Sequence, residues 1–170
     1  GENTTGANNT AVGRSALNAN TTGANNVAVG QLALDANTTA SYNIAIGVNT
    51  LGATTTGANN TAMGNAAMNT NTTGHSNIAI GGVTLSANTT GDSNVAMGYA
   101  ALTAATTADN NTAIGYASMQ TNTTGHSNVA VGRSSLNANT TGDDNTAVGY
   151  RSLITVSYTH LRAHETDSYL

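Results

Sequence analysis

Residues 3–53 read NTTGANNTAVGRSALNA, NTTGANNVAVGQLALDA and NTTASYNIAIGVNTLGA, three lines of seventeen residues that align without a gap. The unit continues to Thr155, giving nine copies with no insertion or deletion. With columns numbered one to seventeen from Asn3, column seven is Asn in every unit: Asn9, Asn26, Asn43, Asn60, Asn77, Asn94, Asn111, Asn128 and Asn145. Column nine is always Ala (Ala11 to Ala147), and column eleven is always Gly (Gly13 to Gly149). Column ten is Val, Ile or Met, column fifteen is Leu or Met, and column four is Gly except at Ala40 and Ala108. So strict a period marks a repeat architecture in which each unit is buried by its neighbours.

The unit does not read as a helical repeat. Paired Thr, several Asn and recurrent Gly are poor helix formers, and the Glu, Lys and Arg that favour exposed helix positions are nearly missing. The segment NNTAVG alternates instead. Column eight (Thr10, Val27, Ile44) and column ten (Val12, Val29, Ile46) share one face, and the Ala between them takes the other. A second short strand is expected over columns thirteen to fifteen, as in Ser15, Ala16 and Leu17, with the column-eleven Gly turning the chain between the two. NTTG then forms the return turn, where Gly tolerates positive φ and Asn bonds its own backbone. The predicted fold is all-β: a parallel β-solenoid or β-roll of nine 17-residue coils over residues 1–155, with two short strands per coil. At about 4.8 Å per coil the rod is roughly 40 Å long. The column-seven Asn residues are expected to stack as a ladder of side-chain amides, as in cross-β assemblies.

Composition agrees with a thin coil. Of the hydrophobic residues 29 are Ala and 6 are Tyr, and there is no Phe or Trp, while Thr, Asn and Gly supply 75 of the 170 residues. A coil with so few large apolar side chains gains little from its own core, which argues for further burial between chains. The Ala column is the expected contact surface, since a small side chain lets backbones approach.

The same counts exclude several functions. With no Cys there is no disulfide framework, zinc knuckle or thiol nucleophile. Four Arg, no Lys and a formal charge of −4 leave no basic patch for nucleic acid. No apolar run in this segment is long enough to insert in a membrane. The tail, 156–170, fits no column. Its stretch VSYTHLRAHET (156–166) resembles the translation of a sequencing-library adapter, so the tail is read as non-native and His160, His164, Glu165 and Asp167 as no metal site. The array is then expected to be an excerpt of a longer one.

No catalytic, cofactor or metal constellation is expected. The carboxylates Asp92, Asp109, Asp143 and Asp144 fall in columns five and six and read as solvated turn residues, as do Glu2 and Asp35. His75 and His126 share column five but lie three coils apart, too far for one metal within a chain; only copies meeting on a threefold axis would bring equivalent imidazoles together. The GGxGxDxU pattern of calcium-binding rolls is missing, and the NTT and NNT triplets match a glycosylation sequon only as a by-product of the repeat. Column twelve is the most suggestive, reading Tyr99, Tyr116, Arg133 and Tyr150 over the last four coils. Such a stripe is a candidate surface for sugar rings, against the plainer reading of edge filling.

Over residues 3–155 the units resemble the NTTGxxNTAxG arrays of bacterial and phage tail-fibre-domain proteins. The cores NTAVG, NIAIG and NVAVG are also similar to the head repeats of trimeric autotransporter adhesins, whose unit is shorter. The resemblance implies a homotrimeric, surface-exposed β-roll, extracellular at a cell surface or in a virion tail fibre, with a cell-surface glycan or receptor as partner. The preferred reading is a structural or adhesive fibre segment without catalysis. The alternatives are an ice-binding solenoid, suggested by stacked Thr but lacking TxT spacing, and a non-catalytic part of a polysaccharide-degrading tail spike.

Overall fold

The computed structural model of this chain describes residues 3–154. The chain winds into an all-β solenoid with one strand per coil: β1 (Thr10–Val12), β2 (Val27–Val29), β3 (Ile44–Ile46), β4 (Thr61–Met63), β5 (Ile78–Ile80), β6 (Val95–Met97), β7 (Thr112–Ile114), β8 (Val129–Val131) and β9 (Thr146–Val148). These strands make one parallel sheet in chain order. Every pairing joins equivalent residues of successive units, Ala11 to Ala28 and Ala28 to Ala45. The 17-residue period is therefore the circumference of one coil. The tail at 156–170 and its His residues lie outside the described residues.

The expected second strand is not formed. Columns thirteen and fifteen are left-handed in every described coil, for example Leu32 and Leu34 at φ 59° and 49°, and column six is left-handed as well. Three such residues per coil, with the column-eleven Gly, curl the backbone tightly enough to close a 17-residue turn; extended residues at thirteen to fifteen would carry it past the return point. Hydrogen bonding between coils continues regardless, as in Leu32 N–H to the Arg14 carbonyl (3.0 Å) and Leu34 N–H to the Thr50 carbonyl (3.1 Å).

The orientation of the strand also differs from expectation. The Ala column is the interior: Ala28, Ala45, Ala62, Ala79, Ala96, Ala113 and Ala130 are fully buried. Opposite stand the column-fifteen side chains Leu34, Leu51, Met68, Leu85, Leu102, Met119 and Leu136, equally buried. The coil is too thin to place Val or Ile across from Leu, so the smallest apolar residue points inward and the larger ones at columns eight and ten point outward. Ala is thus a core column and not a contact surface between chains.

The rest of the interior is polar and hydrogen-bonded, as buried polar groups must be. Asn77 shows the pattern of column seven. Its Oδ1 accepts the Asn94 N–H at 2.9 Å, and its Nδ2 donates to the Gly91 carbonyl at 2.8 Å. Direct amide-to-amide bonds of 3.0–3.2 Å join most steps of this ladder, but Asn43 and Asn60 are held through backbone groups. Column one makes a second ladder. Asn37, Asn88 and Asn139 donate to the Oδ1 of Asn20, Asn71 and Asn122 at 2.7, 2.8 and 3.0 Å. Thr54 and Ala105 interrupt it.

Candidate functional site

A strand alternates its side chains, so turning Ala inward turns columns eight and ten outward together. Columns six and twelve flank them. Every large hydrophobic side chain that is exposed among the described residues belongs to one of these four columns: Tyr42, Val48, Ile78, Ile114, Tyr99 and Tyr116 are representative, Tyr42 at 60% and Ile114 at 38% exposure. Columns eight and ten contain only Thr, Val, Ile and Met, with no charge in any coil. The result is a flat apolar sheet face about 40 Å long on an otherwise polar rod. A soluble monomer rarely leaves so continuous an apolar strip uncovered.

The two flanks of this face differ in charge. Columns five and six carry Asp92, Asp109, Asp143 and Asp144, whereas columns twelve and thirteen carry Arg14, Arg133 and Arg151. Among the described residues the one contact within 4 Å between a basic and an acidic side chain is His126 with Asp109, Nδ1 to Oδ2 at 3.6 Å, both on the same flank, and it is no ion pair while that Nδ1 accepts the Asp109 backbone N–H. The Arg side chains have no carboxylate partner within that distance among the described residues.

The column-twelve stripe is brought together as a continuous stack. The Tyr99 and Tyr116 rings lie 5.7 Å apart and 17° from parallel, and the Arg133 guanidinium sits between Tyr116 (5.5 Å) and Tyr150 (5.8 Å). Gly82 lies beneath Tyr99, where a methyl group would meet the ring at 3.3 Å. Stacking therefore uses the faces of Tyr116, and the edges and hydroxyls are what solvent meets. A sugar could not insert over Tyr116 without breaking the stack. A shallow cavity of about 170 Å³ lies at the end of the stripe between Arg133, Ser134, Asn137, Tyr150, Arg151 and Ile154. It is below the roughly 300 Å³ at which compact ligand sites begin.

Column five is also organised, which the sequence did not reveal. Each polar side chain of the column accepts a backbone N–H from the coil before: Ser41 Oγ from Ala24 (3.0 Å), His75 Nδ1 from Ala58 (3.0 Å), Asp92 from His75 (2.6 Å), Asp109 from Asp92 (2.7 Å), His126 Nδ1 from Asp109 (3.0 Å) and Asp143 from His126 (2.7 Å). Both imidazoles thus act as acceptors at Nδ1. His75 and His126 remain apart with Asp92 and Asp109 between them, and among the described residues no group of three His, Asp or Glu is arranged to hold a metal.

The paired Thr columns divide their roles. Column two bonds the next coil, Thr21 Oγ1 to the Thr38 carbonyl and Thr72 Oγ1 to the Thr89 carbonyl, each 2.9 Å. Column three, including Thr22, Thr39, Thr56 and Thr73, is exposed. The surface consequently shows one free rank of Thr and not two. Among the described residues no helix is long and apolar enough to cross a membrane. Comparison with known protein families, with curated proteins and with solved structures matches this chain to none of them.

Proposed function

We propose that this chain is a non-catalytic structural and adhesive fibre segment, a rod of stacked coils that associates with further copies of itself, as a homotrimer, and displays its flanks at a cell surface or on a virion tail fibre. The observation that supports this reading is the uncharged Val, Ile, Met and Thr face running the length of the described array. Burying such a strip contributes about 25 cal/mol per Å² removed from water. That is the additional burial a coil with Ala for most of its core requires. Association of copies that are alike also continues the rod's regularity outward, since each coil presents the same pair of outward columns.

Sedimentation or light-scattering mass tests the reading directly. A mass three times that of the 16.9 kDa chain is expected. Ile46→Lys combined with Ile114→Lys, both in column ten, should lower the mass to that of one chain while the β-sheet circular dichroism is retained. A folded wild-type monomer at all concentrations would end the proposal. The adhesive half is tested on a glycan array with the triple variant Tyr99→Ala, Tyr116→Ala, Tyr150→Ala; equal binding by wild type and variant would remove the column-twelve stripe from any recognition role.

A further inference from the structure

Two of the three arginines among the described residues open on one cavity. We infer that this corner of the rod binds an oxyanion of an acidic glycan, a uronate carboxylate or a sulfate ester. The inference rests on the adhesive half of the reading above and names its substrate class.

The cavity has a cause in the sequence. At the corner where columns thirteen and sixteen meet, a polar column-sixteen side chain reaches back to a column-thirteen carbonyl of the coil before. Thr103 Oγ1 donates to the Val83 carbonyl at 3.2 Å, and Asn137 Nδ2 to the Ala117 carbonyl at 2.8 Å. One coil on from Asn137 the equivalent residue is Ile154, which has no side-chain donor and cannot bridge to Ser134. The corner therefore stays open between Arg133, Ser134, Asn137, Tyr150, Arg151 and Ile154. These residues belong to columns twelve, thirteen and sixteen, so the cavity lies beside the apolar strand face and not on it.

The cations at this corner are held but not neutralised. The Arg133 guanidinium stands over the Tyr116 ring on one side and the Tyr150 ring on the other, so a ligand meets it along its N–H edge. Such contact fixes the planar fork and leaves its charge in place. A fixed fork suits two parallel hydrogen bonds to a carboxylate or sulfate, and a guanidinium gives up its water readily. Arg151 is exposed and brings a second cation to the same opening, where Ser134 and Tyr150 add hydroxyls. The carboxylates of these coils, Asp143 and Asp144, stand on the opposite flank in columns five and six.

Size selects the group that enters. A water molecule takes about 30 Å³, so a cavity of about 170 Å³ admits one carboxylate or sulfate with its nearest water while the sugar ring stays outside. The stack bars a ring from the face of Tyr116, which leaves the charged substituent as the part of a glycan that fits. A net charge of −4 opposes polyanions along the rest of the rod and confines binding to this corner.

Solution NMR of the full chain tests the site without reference to adhesion. The chain has four Arg and no Lys, so labelling Arg alone gives four side-chain Nε–H signals. Titration with glucuronate should shift those of Arg133 and Arg151 most. Arg14 is the internal control, because it also stands in column twelve but is followed there by Gln31 and no ring. Glucose should move none of them. Equal shifts at Arg14, Arg133 and Arg151, or none at all, would overturn the site.

A glycan array then tests the substrate class. Wild type should bind a polyuronate or a sulfated glycan in preference to the carboxyl-reduced or desulfated form of the same polymer, and which of the two it prefers identifies the oxyanion. Arg133→Gln with Arg151→Gln should weaken that binding about tenfold or more, with circular dichroism and oligomeric mass unchanged, whereas Arg14→Gln should bind as wild type does. Equal binding by the double variant would overturn the inference. Binding to neutral glycans alone defeats this inference and leaves the adhesive reading standing; binding to no glycan, charged or neutral, defeats both.

Discussion

The Oδ1 of Asn77 accepts the backbone N–H of Asn94, one coil further along, at 2.9 Å, and both residues are fully buried. The same oxygen takes the Asn94 Nδ2 at 3.1 Å, and the Asn77 Nδ2 reaches the Gly91 carbonyl at 2.8 Å. One side chain thus satisfies two polar groups of the next coil that cannot reach water. Asn77→Ala leaves the Asn94 N–H without its partner and removes one of the two amides on the Gly91 carbonyl, since Asn88 Nδ2 still donates there at 3.0 Å. At about 1–3 kcal/mol for each buried group left unpaired, the variant should lose about 2–4 kcal/mol. Denaturant unfolding at fixed protein concentration reads this; a midpoint equal to wild type would sink the ladder as a source of stability.

The second ladder has a gap that can be closed. Asn37 Oδ1 is buried without a hydrogen-bond partner, and the residue above it in column one is Thr54. Asn71 Nδ2 reaches the Thr54 hydroxyl only at 3.5 Å. Thr54→Asn supplies an amide that donates to Asn37 and accepts from Asn71, and Gly57 in column four leaves room for it, as Gly74 does for Asn71. Stability should rise by about 1 kcal/mol. A fall in the thermal midpoint would show that the column-one amides are not interchangeable between coils.

Column eleven should tolerate no side chain. Gly47 has φ 134°, and a Cβ there would stand 2.5 Å from the Gly64 carbonyl oxygen of the next coil. Both the left-handed backbone and the approach of the neighbouring coil require Gly. Gly47→Ala should therefore cost upwards of about 2 kcal/mol. Gly82→Ala is the contrast: the new methyl meets the Tyr99 ring at 3.3 Å and the Asn65 carbonyl oxygen at an ordinary 3.9 Å, and a change within about 0.5 kcal/mol is expected. Equal effects of the two substitutions in thermal melts would contradict the explanation.

Column fifteen is the core's one large apolar side chain per coil. Leu85→Ala should cost about 2–5 kcal/mol, because the stacked coils above and below restrain collapse into the cavity. Leu85→Met should cost less than about 1.5 kcal/mol, since Met68 and Met119 already occupy the same column fully buried. The two unfolding midpoints, measured side by side, should differ clearly.

The period, the parallel stacking and the Asn ladder were legible in the sequence because stacking converts a repeat directly into columns, and Asn9 to Asn145 form one that never varies. Which way the strand faces was not. Alternation in Thr10, Ala11 and Val12 separates two faces but does not say which is inside, and the usual preference for burying Val and Ile pointed the wrong way. The invariance of Ala was the available signal, since a core column admits one volume while an outward column admits Thr, Val and Ile. The left-handed Leu and Met of column fifteen could not be foreseen, because large side chains seldom adopt that backbone and only closure of the coil imposes it. The column-one ladder was hidden by Thr54 and Ala105. The opposed charge of the flanks needed the fold, because Asp144 and Arg151 become the two sides of one face only after Ala147 is known to point inward.

The strictly neighbouring pairing of β1 through β9 has a kinetic meaning. Every stabilising contact between coils spans one repeat in sequence, so the loop that must close is the same wherever ordering begins and does not lengthen as coils are added. Once two adjacent coils have met, each later one docks on a finished template. Growth then proceeds as a zipper from any internal start, and melting proceeds by fraying from whichever coil has one neighbour instead of two. Hydrogen exchange should accordingly be slowest at Ala79, in the middle strand β5, and quicken stepwise towards both β1 and β9.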